Sequence, residues 1–311
     1  MILTVTLNTA LDITHSLAAL RPFAANRPHT VAQRAGGKGV NVSRVLHALG
    51  QETEATGLVG GLTGVAVRGD LEASGLTDRM LRIDAETRRT VAVVDDGVGD
   101  TTTLLEPGPV VGPQEWTAFL EHFEALLRGA AAVVLSGSLP RGVPSDAYAV
   151  LVRMAHDHDL PTVVDTEGEA LRAALTARPE LVKPNQDELA ATTGLTDPVA
   201  AARSLRADGA GTVVASLGAR GLIALTPQGD WHAYPPRRLI GNPTGAGDAA
   251  VAALALGMVA GTPWRERLAE AVALSAAAVA APLAGDVDLA VHRRLRPLVH
   301  VEPLRSLTAC P

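Results

Sequence analysis

From Pro113 to Ala215 the chain alternates helical and strand-like stretches, and this rhythm constrains the fold more than any other feature of the sequence. Helices are predicted near Gln114–Arg128, over Ser145–His156 and from Asp197, each leading to a short, unbroken apolar run at Ala132–Leu135, Thr162–Val164 and Thr212–Ala215. Runs that are apolar throughout, rather than at every second residue, belong to strands covered on both faces. The expected fold class is therefore α/β: a mostly parallel sheet flanked by helices on both faces. Upstream, Ile2–Leu7 predicts another buried strand, and Val42, Val45, Leu46 and Leu49 form one helical face that stops at Gly50. A further helix is expected over about Thr63–Ala73. Thr87–Leu105 has a different texture, with β-branched stretches at Thr90–Val94 and Thr101–Leu105 flanking Asp95-Asp96-Gly97, a hairpin signal. The C-terminal third reads as mostly helical. Its apolar runs Ala249–Ala260 and Ala271–Leu283, separated by Trp264-Arg265-Glu266-Arg267, fall short of the ~20 residues that span a bilayer and predict buried helices. Residues 1–311 are expected to form one α/β domain with a small β excursion.

Composition narrows the function. A net charge of −6 argues against a nucleic-acid or anionic-membrane partner, and 3% aromatic residues are too few for base-stacking platforms. The single cysteine, Cys310, excludes an intrachain disulfide and a cysteine zinc cluster. Met1–Leu7 is apolar but lacks a basic flank and ends at Asn8-Thr9, unlike a signal peptide, so a cytoplasmic location is expected.

In open parallel sheets, ligands lie beyond the carboxyl ends of the strands. Here the residues after the strands are polar or glycine-rich: Asn8 to Asp12, Ser136-Gly137-Ser138, Asp165-Thr166, Lys183-Pro184-Asn185 and Ser216-Leu217-Gly218. Gly241-Asn242-Pro243-Thr244-Gly245-Ala246-Gly247-Asp248 runs straight into an apolar helix. Small residues before a helix N-terminus let backbone N–H groups approach a phosphate, and Asp248 could take a proton from a hydroxyl. A glycine turn with an acidic helix cap accounts for the same residues about as well. Gly36-Gly37-Lys38-Gly39-Val40-Asn41 enters a second helix, where Lys38 and Asn41 could bind sugar hydroxyls or phosphate; a flexible loop with a solvated lysine is the plain alternative. No GxxxxGK[ST] loop occurs, and Gly245-Ala246-Gly247 lacks the third glycine of a dinucleotide fingerprint.

Gly36 to Gly50 resembles the first signature of the ribokinase-like sugar kinases, the phosphofructokinase-B family, and Asn242 to Asp248 resembles the second. Thr6-Leu7-Asn8 with Asp12, Ser136 to Pro140, Lys183-Pro184-Asn185 with Glu188, and Ser216-Leu217-Gly218 recur between them in the family's order. The pattern is most similar to the 1-phosphofructokinase and tagatose-6-phosphate kinase group. The resemblance implies a ribokinase-like fold with a β-sheet lid over approximately residues 11–35 and 85–109, a homodimer through that lid, ATP and Mg²⁺ as cofactors, and a phosphosugar as acceptor. Fructose 1-phosphate, tagatose 6-phosphate and fructose 6-phosphate all suit it.

It also implies residue roles. Asp248 matches the catalytic base, and Gly245, Ala246 and Gly247 match the anion hole. Asp12, Gly37, Lys38 and Asn41 match sugar-binding positions, and Ser138 and Arg88 match groups that hold the acceptor's phosphate. Arg27, in the other lid segment, is a further candidate for that phosphate, and solvated surface residues are the plain alternative for both arginines. Asn185 and Glu188 match an element that organises Mg²⁺, through water, and the nucleotide phosphates; as an i, i+3 pair they also suit a helix cap. Lys183, Ser216 and Gly218 match the nucleotide side. Thr90, Ala92 and Leu105 depart from the asparagine and lysine frequent after the lid arginine and the asparagine frequent before Glu106. A kinase of an unphosphorylated sugar or nucleoside, and a non-catalytic sensor of sugar phosphates or nucleotides, are the competing expectations.

Overall fold

In the computed structural model, residues 1–239 and 241–304 are described; Cys310 lies outside them. The N-terminal part runs β1 (Ile2–Thr6), β2 (Ala10–Leu17), β3 (Thr30–Gly36), α1 (Lys38–Ala48), β4 (Thr53–Gly60), α2 (Gly61–Ala73), β5 (Thr77–Ile83), β6 (Arg88–Asp95) and β7 (Asp100–Leu105). The middle follows as α3 (Pro113–Leu127), β8 (Ala132–Ser136), α4 (Ala147–His156), β9 (Thr162–Asp165), α5 (Gly168–Leu175), β10 (Leu181–Val182), α6 (Gln186–Thr193), α7 (Pro198–Ala207) and β11 (Thr212–Ser216). The remainder comprises β12 (Leu222–Thr226), β13 (Gly229–Tyr234), α8 (Ala246–Val259), α9 (Trp264–Val279), α10 (Leu289–Leu295) and β14 (His300–Pro303).

The ten-stranded sheet has the order β14-β13-β12-β11-β10-β9-β8-β1-β4-β5. From β5 to β11 all pairs are parallel, as the apolar runs predict, and β12, β13 and β14 extend the sheet antiparallel. One face packs on α3, α4 and α7 through Phe119, Phe123, Tyr148, Leu151 and Leu205, all fully or almost fully buried. The other packs on α1, α8 and α9 through Val42, Leu46, Val251, Leu254 and Leu274. Alanines dominate α8 and α9, so the helices approach closely with few aromatic side chains between them.

A second sheet, ordered β3-β2-β6-β7, stands off the main one. Its β6–β7 hairpin turns at Asp95, whose side chain accepts hydrogen bonds from the N–H groups of Gly97 and Val98.

The buried helices expected over the two apolar runs form as α8 and α9, and the tetrad Trp264-Arg265-Glu266-Arg267 between the runs opens α9 as its first turn. Arg267 lies over the Trp264 ring at 4.4 Å, a cation–π contact within that first turn. The C-terminal third also contributes β12, β13 and β14, which sequence periodicity does not reveal. Among the described residues no helix is long and apolar enough to cross a membrane.

Candidate active site

The carboxyl ends of β1, β8, β9, β10 and β11 share one edge of the main sheet, and the polar strand-end residues collect there. Gly37, with φ 105°, precedes α1. A Cβ at this position would lie 2.6 Å from Thr6 Cγ2, so only glycine lets α1 start against β1. The opening of α1 then carries Lys38 and Asn41 over the strand ends. Lys38 is no solvated loop residue: its Nζ lies 3.3 Å from Asp165 Oδ1 and 3.3 Å from Glu188 Oε1. Burial opposes its charge, but Asp165, Glu188 and Asp248 together hold its pKa above the ordinary lysine value.

Asn41 Nδ2 donates to Asp248 Oδ2 at 2.8 Å, which joins the two glycine motifs across the cleft. Asp248 is buried in the first turn of α8. Burial raises its pKa and the Asp165 carboxylate adds to this, reaching about 7 against the opposing pull of Lys38, Asn41 and Lys183. A carboxylate with a pKa near neutrality suits a general base.

Gly245 caps α8 with φ 84°. The N–H groups of Gly247 and Asp248 follow in the first turn, where helix geometry leaves them without intrahelical acceptors. The Ala246 N–H instead donates to Pro243 O at 3.2 Å, so in this arrangement Ala246 does not present a free amide to an anion. Lys183, 3% exposed, lies 3.7 Å from Asp165 and reaches the glycine loop; a Cβ on Gly247 would sit 3.4 Å from its Nζ.

Asn185 and Glu188 do form the cap that their spacing suggests. Asn185 Oδ1 accepts from the Glu188 N–H and Glu188 Oε2 from the Asn185 N–H, each at 2.8 Å. Glu188 Oε1 remains with Lys38, so the cap also orients a carboxylate into the cleft. Ser216 bridges to Asn185 at the neighbouring strand end, and a Cβ on Gly218 would meet open space.

On the small sheet, Asp12 lies opposite Arg34 of β3 and Thr90 of β6. Burial raises the Asp12 pKa, against a hydrogen bond with the Thr90 side chain and the charges of Arg88, Arg34 and Arg44. Arg88 Nε donates to Asn8 O at 3.1 Å, and Asn8 Nδ2 donates to Ser138 Oγ at 3.0 Å. Arg88 and Ser138 are therefore linked through Asn8, with Asp12 within reach of the Arg88 charge. Arg27 does not join them. The β2–β3 pairing ends at Ser16–Thr30, ~13 Å along the strands from Asp12, and Arg27 is exposed in the connection beyond that end.

Two site residues were not singled out from the sequence. Asp165, 1% exposed, holds both lysines through Oδ1, and its buried Oδ2 has no partner. Asn8 links Arg88 to Ser138. Both occupy polar strand ends, which was the available signal.

The sequence model of the pfkB family carbohydrate kinases matches residues 6–289. Phosphofructokinase-2 from Escherichia coli, solved with fructose-6-phosphate, is 28% identical with a TM-score of 0.84 over 95% of this chain and 98% of that one. A tetrameric inhibited form of phosphofructokinase-2 from Escherichia coli gives 29% identity and a TM-score of 0.85, again over 95% and 98%. A Thermotoga maritima protein described as a possible 1-phosphofructokinase is 26% identical with a TM-score of 0.88, over 98% of this chain and 100% of that one.

Proposed function

The chain belongs to the pfkB family of carbohydrate kinases, and on that premise we propose that it transfers the γ-phosphoryl group of ATP to a hydroxyl of a phosphoketohexose to give the bisphosphate. Fructose 1-phosphate, tagatose 6-phosphate and fructose 6-phosphate are the candidate acceptors. The observation that carries the phosphosugar reading is Arg88. Its guanidinium is anchored through Nε on the Asn8 carbonyl, beside Ser138 and Asp12, which leaves the fork of terminal nitrogens available to a phosphate.

Asp12, Gly37, Lys38 and Asn41 form the sugar side of the cleft. Asp248 accepts the proton of the attacking hydroxyl, and the Asn41 hydrogen bond fixes its carboxylate toward that group. The N–H groups of Gly247 and Asp248 and the ammonium of Lys183 receive the charge on the transferring phosphoryl group, whose transfer needs mainly positioning and charge stabilisation. Ser216, Gly218 and Asn185 lie on the nucleotide side.

Among the described residues no three side chains form a metal cage. Mg²⁺ is commonly held by one or two carboxylates, water and substrate phosphates, and Glu188 supplies one such carboxylate. Glu188, whose Oε1 lies at Lys38 in the cleft, would hold it through water. When bound, Mg²⁺ neutralises phosphate charge.

Val31 and Leu104, 52% and 60% exposed, share the face of the small sheet opposite to that of Asp12, and this apolar surface supports a homodimer formed through the lid. A cytoplasmic enzyme fits this reading. Arg27 has no role in it within one chain.

The test is Arg88→Ala with both substrates titrated. Losing a charge-assisted contact of ~1.5–3 kcal/mol raises the phosphosugar KM by roughly one to two powers of ten, while the KM for ATP stays within about twofold. An unchanged phosphosugar KM would move weight to an unphosphorylated acceptor.

A further inference from the structure

Arg34 sits on the small sheet directly opposite Asp12, yet its guanidinium points away from its own sheet into the C-terminal part of the chain. Nη1 donates to Ala284 O at 3.0 Å and Nη2 to Asp286 Oδ1 at 2.8 Å. The Arg34 side chain is 15% exposed and that of Asp286 40%. Such a fork fixes direction as well as distance.

The segment it grips touches two other parts of the candidate site. A Cβ on Gly285 would lie 2.9 Å from Arg44 Cδ and 3.1 Å from Asn41 Oδ1, so the segment rests on α1 beside the side chain that orients Asp248. A Cβ on Gly245 would lie 3.0 Å from Gly285 N and 3.1 Å from Ala284 Cα, so the same residues back the glycine loop. Asn242 Nδ2 also donates to Pro282 O at 3.2 Å, tying that loop to the segment from its other end. Residues 282–286 thus form a wedge between the small sheet, α1 and the loop before α8.

We propose that Arg34 and Asp286 are positioning residues: their ion pair sets the small sheet, which carries the sugar-facing groups, in register with the Gly245–Asp248 turn, which receives the phosphoryl group. The proposal rests on the kinase reading above. Neither residue touches the reacting atoms. Both act through the 282–286 wedge, so breaking the pair loosens the glycine loop and misplaces acceptor against base, while the nucleotide side, built on β10 and β11, is left intact.

Asp286→Ala breaks the pair on its exposed side without removing the positive charge beside Asp12. Arg34→Gln breaks it from the other side. Two readouts apply: kinetics with both substrates, and hydrogen exchange of the peptide covering residues 241–247, which needs no turnover. Each variant is expected to lower kcat at least tenfold, to leave the KM for ATP within twofold and to speed exchange in 241–247, with the β1 and β4 amides unchanged. Because both break one link, the double variant is expected to be no worse than Arg34→Gln alone. Arg34→Lys is expected to retain more activity than Arg34→Gln. Unchanged exchange with unchanged kcat overturns the proposal. So do effects that multiply in the double variant, or faster exchange throughout the chain, which is loss of stability alone. If the protein phosphorylates no sugar phosphate, the kinase reading fails while the exchange experiment still judges the clasp.

Discussion

Asp248 is buried with Asp165 nearby, and its pKa of about 7 ties activity and stability to the same proton. In the proposed role of base Asp248 works deprotonated, so kcat/KM is expected to fall about tenfold per pH unit below about 7, measurable as the acid limb of the pH profile. Asp248→Asn should lower kcat by ~10²–10⁴-fold while ATP still binds; a variant within a few-fold of the unsubstituted protein would remove Asp248 from the role. The stability effect has the opposite sign. Asp248 has its folded pKa raised from 3.8, so between about 4 and about 7 the folded chain binds more protons than the unfolded one, and stability falls as pH rises. Asp248→Asn is therefore expected to have the higher Tm at pH 8, with the gap closing as pH falls toward 4. Asp248, Lys38 and Asn41 were visible in the sequence because each sits in a glycine-rich loop that enters a helix. Asp165 was visible only as a polar strand end: what marks it is the convergence of two lysines 127 and 18 residues away in sequence, which no local pattern records.

Elements carry their own signals to different degrees. β1, β8, β9 and β11 and helices α1 to α4 and α7 were readable, because burial on both faces or on one stripe leaves a periodic trace; β4, β5, β10, α5 and α6 were not singled out. β13 and β14 were not, because they lie toward a sheet edge where Asp230, His232 and His300 mix with apolar residues. β12, buried throughout, is a short apolar run that periodicity alone does not tell from a buried helix segment. The glycine loop shows why residue type alone is an incomplete guide. Gly245 needs its left-handed backbone, and a side chain there would press on Gly285 and Ala284 backbone, so Gly245→Val is expected to lose stability as well as turnover. Gly247 is the cleaner probe. Only the flexible end of Lys183 would meet its Cβ, so Gly247→Ala should keep or slightly raise the Tm, since alanine favours helix. The same change should lower kcat by crowding the phosphoryl position. Full activity in soluble Gly247→Ala would contradict the anion-hole reading. Asn185→Ala removes half of a reciprocal cap and is expected to cost ~1 kcal/mol, read from denaturant unfolding.

At the scale of the whole molecule, the proposed base Asp248, the proposed phosphate-receiving turn before it and the Arg88 fork come from distant parts of the sequence, the first two at the start of α8 on the main sheet and the third on β6 of the small one. Family membership and the fold follow from long-range order in the sequence: two glycine signatures separated by about two hundred residues and the strand-end landmarks between them. The placement of Arg27 past the end of the small sheet, and the link from Arg34 to Asp286, required the assembled structure, since each depends on how far strands extend and where distant loops fold back. The most direct measurement is ADP release, coupled to a spectrophotometric reporter, with fructose 1-phosphate, tagatose 6-phosphate, fructose 6-phosphate, fructose and ribose compared at equal concentration in the presence of ATP and Mg²⁺. The account predicts Mg²⁺-dependent turnover with at least one of the three sugar phosphates and a kcat/KM at least tenfold above that for either free sugar. Faster turnover of fructose or ribose than of every sugar phosphate, or no ADP release with any of the five, would contradict it.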